Sequence, residues 1–226
     1  MRVPSVAEAV GRVFERIAGA AERSGRDPGT VRVVAITKGV AQPQIEDALE
    51  AGISDLGENR PEDLDRKSQT LDPAVRWHLV GGLQTRKIPQ LDRVLLIHSL
   101  DRQREAEVLN ARGEETGRSY DVLIQVNAAS EPQKQGIAPD EVEPLLEKLP
   151  LYPQVKPRGF MFMAPLAENP EDVRWVFAHG RRLRERYSSF GLDELSMGMS
   201  DDYEVAVEEG ATIVRIGRAI FASEES

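Results

Sequence analysis

The sequence predicts an α/β protein with the architecture of a (β/α)8 TIM barrel and an extra N-terminal helix. Short runs rich in Val, Ile and Leu alternate with longer segments of helical spacing, and eight such runs occur in 226 residues. Parallel strands joined by crossover helices give this alternation, and eight units are the number that closes a barrel. The rival architecture is an open doubly wound sheet, which helical periodicity does not separate from a barrel.

The elements follow one another with little sequence between them. The predicted strands are residues 31–37, 53–57, 75–80, 94–98, 122–127, 155–160, 195–197 and 212–216. The predicted helices are residues 42–51, 61–69, 84–91, 102–116, 139–149, 170–188 and 201–209, preceded by a helix within the first 25 residues. No linker or fixed repeat marks a domain boundary, so we expect residues 1–226 to form a single domain.

Composition excludes several classes of function. The 29 Lys and Arg against 38 Asp and Glu give a net charge of -9, the wrong sign for a protein that binds a phosphate backbone. The absence of cysteine excludes disulfides, thiolate metal sites and cysteine nucleophiles. Residues 1–9 lack the apolar segment of a signal peptide, and the longest apolar run is too short to cross a bilayer. We therefore expect a cytoplasmic protein that binds neither nucleic acid nor a membrane.

Ligands of such folds collect at the carboxyl ends of the strands, and Lys38 ends the first predicted strand. Partial desolvation or a neighbouring cation there would make the amine nucleophilic, as a Schiff-base lysine requires. The alternative is an ordinary lysine whose charged end reaches water.

Two further strand ends carry polar groups. The acid Glu58, the amide Asn59 and the cation Arg60 follow Gly57, and this pattern fits either a binding site or a helix-capping turn. His78 lies inside an apolar strand, where a lone histidine is more often structural. The glycine pair Gly81 and Gly82 at the end of that strand indicates that something approaches the backbone closely.

The last two strand ends suggest an anion site. Residues 196–200 (SMGMS) and 215–218 (RIGR) supply the Ser and Gly residues from which loops and a helix N-terminus build a phosphate site in barrels. Asp201 and Asp202 would compete with a phosphate unless they point away. The alternative makes Ser200 a plain helix cap and Gly217 a packing glycine.

An imine-forming lysine and a phosphate site in one barrel mouth fit a cofactor that carries both an aldehyde and a phosphate. That cofactor is pyridoxal 5'-phosphate (PLP). Arg215 lies where a side chain of the eighth strand could face the ring. A guanidinium keeps its proton, so against the pyridine nitrogen it would leave that nitrogen unprotonated and weaken the ring as an electron sink.

At these residues the sequence resembles the pyridoxal phosphate homeostasis proteins, a family of PLP-binding barrels related to the N-terminal domain of alanine racemase. The resemblance runs from about residue 31 to residue 221, through stretches such as AITK, LGENR, WHLVGGLQ, GFMFMAP, LSMGMSDDYEVAV and VRIGRAIF. It implies that the cofactor-binding residues are Lys38 as the Schiff-base lysine, Asn59 and His78 near the ring, Arg215 at the pyridine nitrogen, and Ser196, Met199, Ser200 and Gly217 around the phosphate. Arg218 stands where a threonine commonly contacts the phosphate and could bind it as a charge.

Two functions follow from this interpretation. In the first, the protein binds PLP reversibly, buffers or delivers it, and catalyses nothing robustly. In the second, it is a PLP-dependent racemase or decarboxylase. Racemisation needs acid–base groups on both faces of the substrate, and none of the four tyrosines, Tyr120, Tyr152, Tyr187 and Tyr203, follows a strand end. The first function is favoured, with PLP-dependent apoenzymes as partners and the protein as a monomer.

Overall fold

Eight parallel strands close into a barrel in the computed structural model, which describes residues 4–128 and 135–221. Every strand pairs with its neighbours in sequence, and β1 pairs with β8 through the register Val33↔Val214. The strands are β1 (Arg32–Ile36), β2 (Asp55–Glu58), β3 (Arg76–Leu79), β4 (Val94–Leu100), β5 (Tyr120–Val126), β6 (Val155–Phe162), β7 (Glu194–Ser196) and β8 (Ile213–Ile216). The predicted barrel is therefore confirmed and the open sheet is excluded.

Helices follow the strands and cover the outside of the barrel. They are α1 (Val6–Arg23), α2 (Gln42–Glu50), α3 (Pro61–Ser68), α4 (Gln103–Thr116), α5 (Val142–Lys148), α6 (Arg174–Arg186), α7 (Tyr203–Glu208) and α8 (Arg218–Phe221). No helix in the described part of the chain is both long enough and apolar enough to cross a membrane.

The connection between β3 and β4 differs from the prediction in helix type. The sequence pattern predicts a helix over residues 84–91, and the structure has a 3₁₀-helix, Thr85–Leu91. Pro89 lies inside it. Proline has no N–H for an α-helical hydrogen bond, and its ring clashes with the carbonyl four residues earlier, so the segment takes the tighter form.

The predicted N-terminal helix is present and packs on its own barrel. Ser5 caps α1 through a capping box with Glu8. One apolar stripe of this helix is buried, with Val10, Val13 and Ile17 each at most 2% exposed, and α1 contacts α2, α7 and α8. Burial of this stripe within one chain leaves little of it for a second copy.

The barrel interior contains one apolar and one polar set of side chains. Val34, Leu96, Leu123, Met161 and Ile213 come from five strands and form one buried cluster. A second buried set is hydrogen-bonded across the interior; its members are Asp55, His78, His98, Ser196 and Arg215. Charged and polar groups are rarely buried in a core unless they are hydrogen-bonded or have a function, and Arg215 connects this second set to the mouth of the barrel.

Candidate functional site

A cavity of about 940 Å³ opens at the carboxyl ends of the strands. Its size is at the upper end of the range for small-molecule sites. The predicted site residues that line it are Lys38, Asn59, Met199, Ser200, Arg215, Gly217 and Arg218. The two predicted residues that do not line it are His78 and Ser196. Both are fully buried below the cavity in the barrel interior.

Lys38 follows β1 by two residues, and its surroundings hold the end of that strand in place. The side chain of Lys67 donates to the carbonyl oxygen of Thr37 (2.7 Å) and to Glu58 Oε1 (2.6 Å). The Thr37 hydroxyl donates to the same Glu58 oxygen (2.7 Å). Lys38 itself is exposed toward the cavity, and in the described chain its amine has no hydrogen bond or ion pair. An amine that has no other partner and is attached to a firmly held strand end is suited to form a Schiff base with an aldehyde.

The end of β2 approaches the glycine pair after β3. A Cβ atom built on Gly81 would lie 2.1 Å from the carbonyl oxygen of Asn59. The close approach predicted for this glycine pair is therefore present, and the approaching group is the backbone of Asn59 itself. Gly81 thereby sets the position of Asn59 at the cavity wall.

This contact predicts that Gly81→Ala destabilises the fold. The added methyl group must displace the Asn59 backbone, and such overpacking costs about 1–3 kcal/mol. The measurement is the midpoint of urea unfolding followed by circular dichroism. Gly11→Ala is the matched control, because a Cβ there meets nothing within 4 Å in helix α1, and the exchange should stabilise by about 0.5–1 kcal/mol. Equal midpoints for the two variants would contradict the assignment.

Backbone N–H groups border the cavity at the ends of β7 and β8. The amides of Ser200, Asp201, Gly217 and Arg218 donate no hydrogen bond to any other described residue. Gly198, with φ +94°, turns the chain after β7, and a Cβ there would lie 2.7 Å from that of Ala206. Unpaired amides gathered at loop ends form an anion-binding concavity. The predicted phosphate site therefore has donors available.

The two aspartates that could oppose an anion are both engaged. Asp202 Oδ1 accepts a hydrogen bond from the Met199 amide (2.6 Å). Burial raises the pKa of Asp202, which favours its neutral form. Asp201 forms an ion pair with Arg218, and the Arg218 side chain remains 72% exposed. Arg218 thus compensates the charge of Asp201 at the rim of the cavity.

Arg215 forms part of the floor of the cavity. Nη1 donates to Ser196 Oγ (2.6 Å) and Nη2 donates to the carbonyl oxygen of Phe162 (2.9 Å). Burial lowers the pKa of Arg215 to about 10. The guanidinium therefore stays protonated at neutral pH and acts only as a hydrogen-bond donor.

His78 reaches the cavity only through other residues. Its Nδ1 lies 2.9 Å from His98 Nε2, and His98 Nδ1 lies 2.8 Å from Ser196 Oγ. Its Nε2 lies 2.9 Å from Asp55 Oδ1. Sequence reasoning identified His78 but missed His98 and Asp55. The signal was present for His98, a polar residue inside an apolar strand as His78 is, but not for Asp55, which lies in a mixed stretch between Ser54 and Glu58.

Comparison with known proteins identifies the family. The model of the alanine racemase N-terminal domain family matches residues 14–225. A pyridoxal phosphate homeostasis protein of Aquifex aeolicus is 42% identical over 95% of this chain and 96% of the relative. The chain belongs to the pyridoxal phosphate homeostasis protein family. The resemblance stated from the sequence is confirmed.

Two further relatives support this assignment. The Pseudomonas aeruginosa protein of the same name is 37% identical over 98% of this chain and 96% of its own length. The solved structure of PipY from Synechococcus elongatus with PLP bound superposes with a TM-score of 0.79 at 34% identity. The superposition covers 93% of this chain and 100% of the PipY chain. This chain therefore matches its relatives over nearly all of their length and shares the fold of PipY.

Proposed function

We propose that this protein binds PLP reversibly in the barrel mouth and serves in PLP homeostasis, as a buffer or a carrier. The observation that carries the proposal is the shared cavity of an unpaired amine, Lys38, and a set of unpaired backbone amides at the ends of β7 and β8. These groups match the aldehyde and the phosphate of PLP. The PLP bound in PipY gives independent support.

The residues of this chain fit the cofactor group by group. Lys38 would hold the aldehyde carbon as a Schiff base, and the Ser200 and Gly217 amides would hold the phosphate, with Met199 and Arg218 beside them. Arg215 would donate to the pyridine nitrogen, and Asn59 would contact the ring edge. Bound PLP supplies an electron-withdrawing ring, but a nitrogen facing a permanent donor stays unprotonated and is a weak electron sink.

This arrangement favours a carrier over a racemase or decarboxylase. Among the described residues that line the cavity there is no tyrosine or histidine. The only carboxylates among the described lining residues, Asp201 and Asp202, lie beside the proposed phosphate amides and are engaged by Arg218 and Met199. A second-face acid–base group for racemisation is therefore not provided by these residues. We propose that residues 1–226 act as one monomeric PLP-binding domain in the cytoplasm, with PLP-dependent apoenzymes as recipients.

The experiment compares the binding of PLP with the binding of pyridoxal, which lacks the phosphate. Binding is measured by absorbance and by the amount of each vitamer that stays with the protein on gel filtration. PLP should bind much more tightly than pyridoxal, because only PLP uses the backbone amides. The loaded protein should then show no sustained turnover with a panel of L-amino acids. Equal retention of the two vitamers would contradict the phosphate site, and a turnover rate of about 1 s⁻¹, ordinary for an enzyme, would contradict the carrier function.

A separate prediction concerns Arg218, which departs from the family pattern. Arg218→Thr is expected to preserve or tighten PLP retention, because Arg218 is held by Asp201 and threonine offers a hydroxyl to the phosphate. The measurement is the dissociation constant from a PLP titration. A loss of tenfold or more, about 1.4 kcal/mol, would show that Arg218 is itself the phosphate ligand.

A further inference from the structure

A continuous row of hydrogen bonds crosses the barrel interior from the mouth toward the opposite end. It runs from Arg215 through Ser196, His98 and His78 to Asp55, with distances of 2.6, 2.8, 2.9 and 2.9 Å between successive polar atoms. Each of the five side chains is at most 4% exposed. Only Arg215 lines the cavity.

The two ends of the row limit the directions that its hydrogen bonds can take. Arg215 can only donate. At the other end burial opposes ionisation of Asp55, but hydrogen bonds from His78 and Arg76 outweigh it and lower its pKa to about 2. Asp55 is therefore a carboxylate and can only accept at neutral pH.

With neutral imidazole rings, each group between the ends accepts a hydrogen bond on one side and donates one on the other. His78 donates from Nε2 to Asp55, so its Nδ1 accepts from His98 Nε2. His98 Nδ1 then accepts from the Ser196 hydroxyl, whose oxygen accepts from Arg215. This pattern satisfies both nitrogens of both histidines, and in it both rings are neutral Nε2–H tautomers.

The charges around the histidines agree with this state. Burial lowers the pKa of His78 despite the opposing Asp55, with Arg32 and Arg76 adding to the lowering. Burial also lowers the pKa of His98 well below its ordinary value, helped by His78, Arg215 and Arg32. A second proton on His98 would also remove the Nδ1 lone pair that accepts from the Ser196 hydroxyl in this pattern.

We propose that Asp55, His78, His98 and Ser196 form a positioning chain that holds the Arg215 guanidinium in the cavity floor, oriented to donate to the PLP ring. This inference rests on the proposed function, because it assigns Arg215 to the ring nitrogen. It changes the roles of two predicted site residues. His78 and Ser196 act through Arg215, rather than by contact with the ring or the phosphate.

The first test reads the tautomers directly in the ligand-free, wild-type protein. Two-bond ¹H–¹⁵N correlation spectra of histidine-labelled protein report which ring nitrogen carries the proton. His78 and His98 should both be Nε2–H tautomers at pH 7 and should stay neutral at pH 6. A protonated ring or an Nδ1–H tautomer at either histidine would overturn the chain. This result does not depend on whether PLP binds.

The second test separates positioning from direct contact with the phosphate. Ser196→Ala should weaken PLP and pyridoxal retention by the same factor, about five- to tenfold, because it acts through Arg215 on the ring that both vitamers share. Ser68→Ala is the matched control: Ser68 is a buried serine whose hydroxyl donates to the Asp65 carbonyl in α3, away from the cavity. It should change retention less than twofold.

Two outcomes would overturn the inference at this step. A loss confined to PLP would make Ser196 a phosphate ligand, and a loss no larger than that of Ser68→Ala would leave Ser196 without a positioning role. Failure of the wild type to bind either vitamer would instead reject the proposed function, while the tautomer spectra still test the hydrogen-bond chain.

Discussion

Lys38→Ala is expected to abolish the visible absorption of the PLP-loaded protein and to weaken PLP retention by about 100-fold or more, which is about 2.7 kcal/mol. The physical reason is the loss of the only covalent bond proposed for the cofactor. The remaining contacts, the backbone amides and Arg215, can hold PLP only non-covalently. The measurements are the absorption spectrum after loading and the dissociation constant from a titration.

Lys148→Ala is the control for this variant. Lys148 is exposed at the end of α5 and does not line the cavity, so its removal should leave both readouts unchanged. An unaltered spectrum for Lys38→Ala would show that another amine binds the aldehyde. Loss of the spectrum in both variants would point to nonspecific reaction with surface lysines.

The second large effect is expected for Arg215→Leu, which should weaken PLP retention by about 10- to 100-fold. A hydrogen bond from a charged donor contributes about 1.5–3 kcal/mol, and leucine offers the ring nitrogen no donor. The pyridine nitrogen of the bound cofactor should also become able to take up a proton. Titration with PLP labelled with ¹⁵N in the ring measures both effects.

Arg26→Leu is the matched control for Arg215→Leu. Arg26 is likewise held by hydrogen bonds from both terminal nitrogens, here to the backbone carbonyls of Val207 and Ala211, but it lies outside the cavity. Its replacement should lower stability and leave PLP retention unchanged. If Arg215→Leu likewise changes only stability, Arg215 does not face the cofactor.

The barrel and many of the residues at its mouth could be predicted, because both depend on the local pattern of apolar and polar residues along the sequence. Alternating apolar runs and helical segments indicate βα units, and the residues after each run lie at the mouth by topology alone. Lys38, Asn59, Ser200 and Gly217 line the cavity for this reason. A residue that follows a strand can be assigned to the barrel mouth without knowing in which direction its side chain points.

The barrel interior could not be predicted in the same way. Whether His78 faces the interior or the helices depends on the parity of a four-residue strand, Arg76–Leu79, and a shift of one residue reverses the direction. The link between His98 on β4 and Ser196 on β7 joins strands that are not neighbours in the sheet. Such contacts arise only when the barrel closes, so no local pattern indicates them.

Borohydride reduction of the PLP-loaded protein, followed by peptide mass analysis, tests the central claim most directly. Reduction converts the bond between the aldehyde and its amine into a stable link at the residue that holds the cofactor. We expect the pyridoxyl group on Lys38. Labelling of other lysines with none on Lys38 would contradict the account.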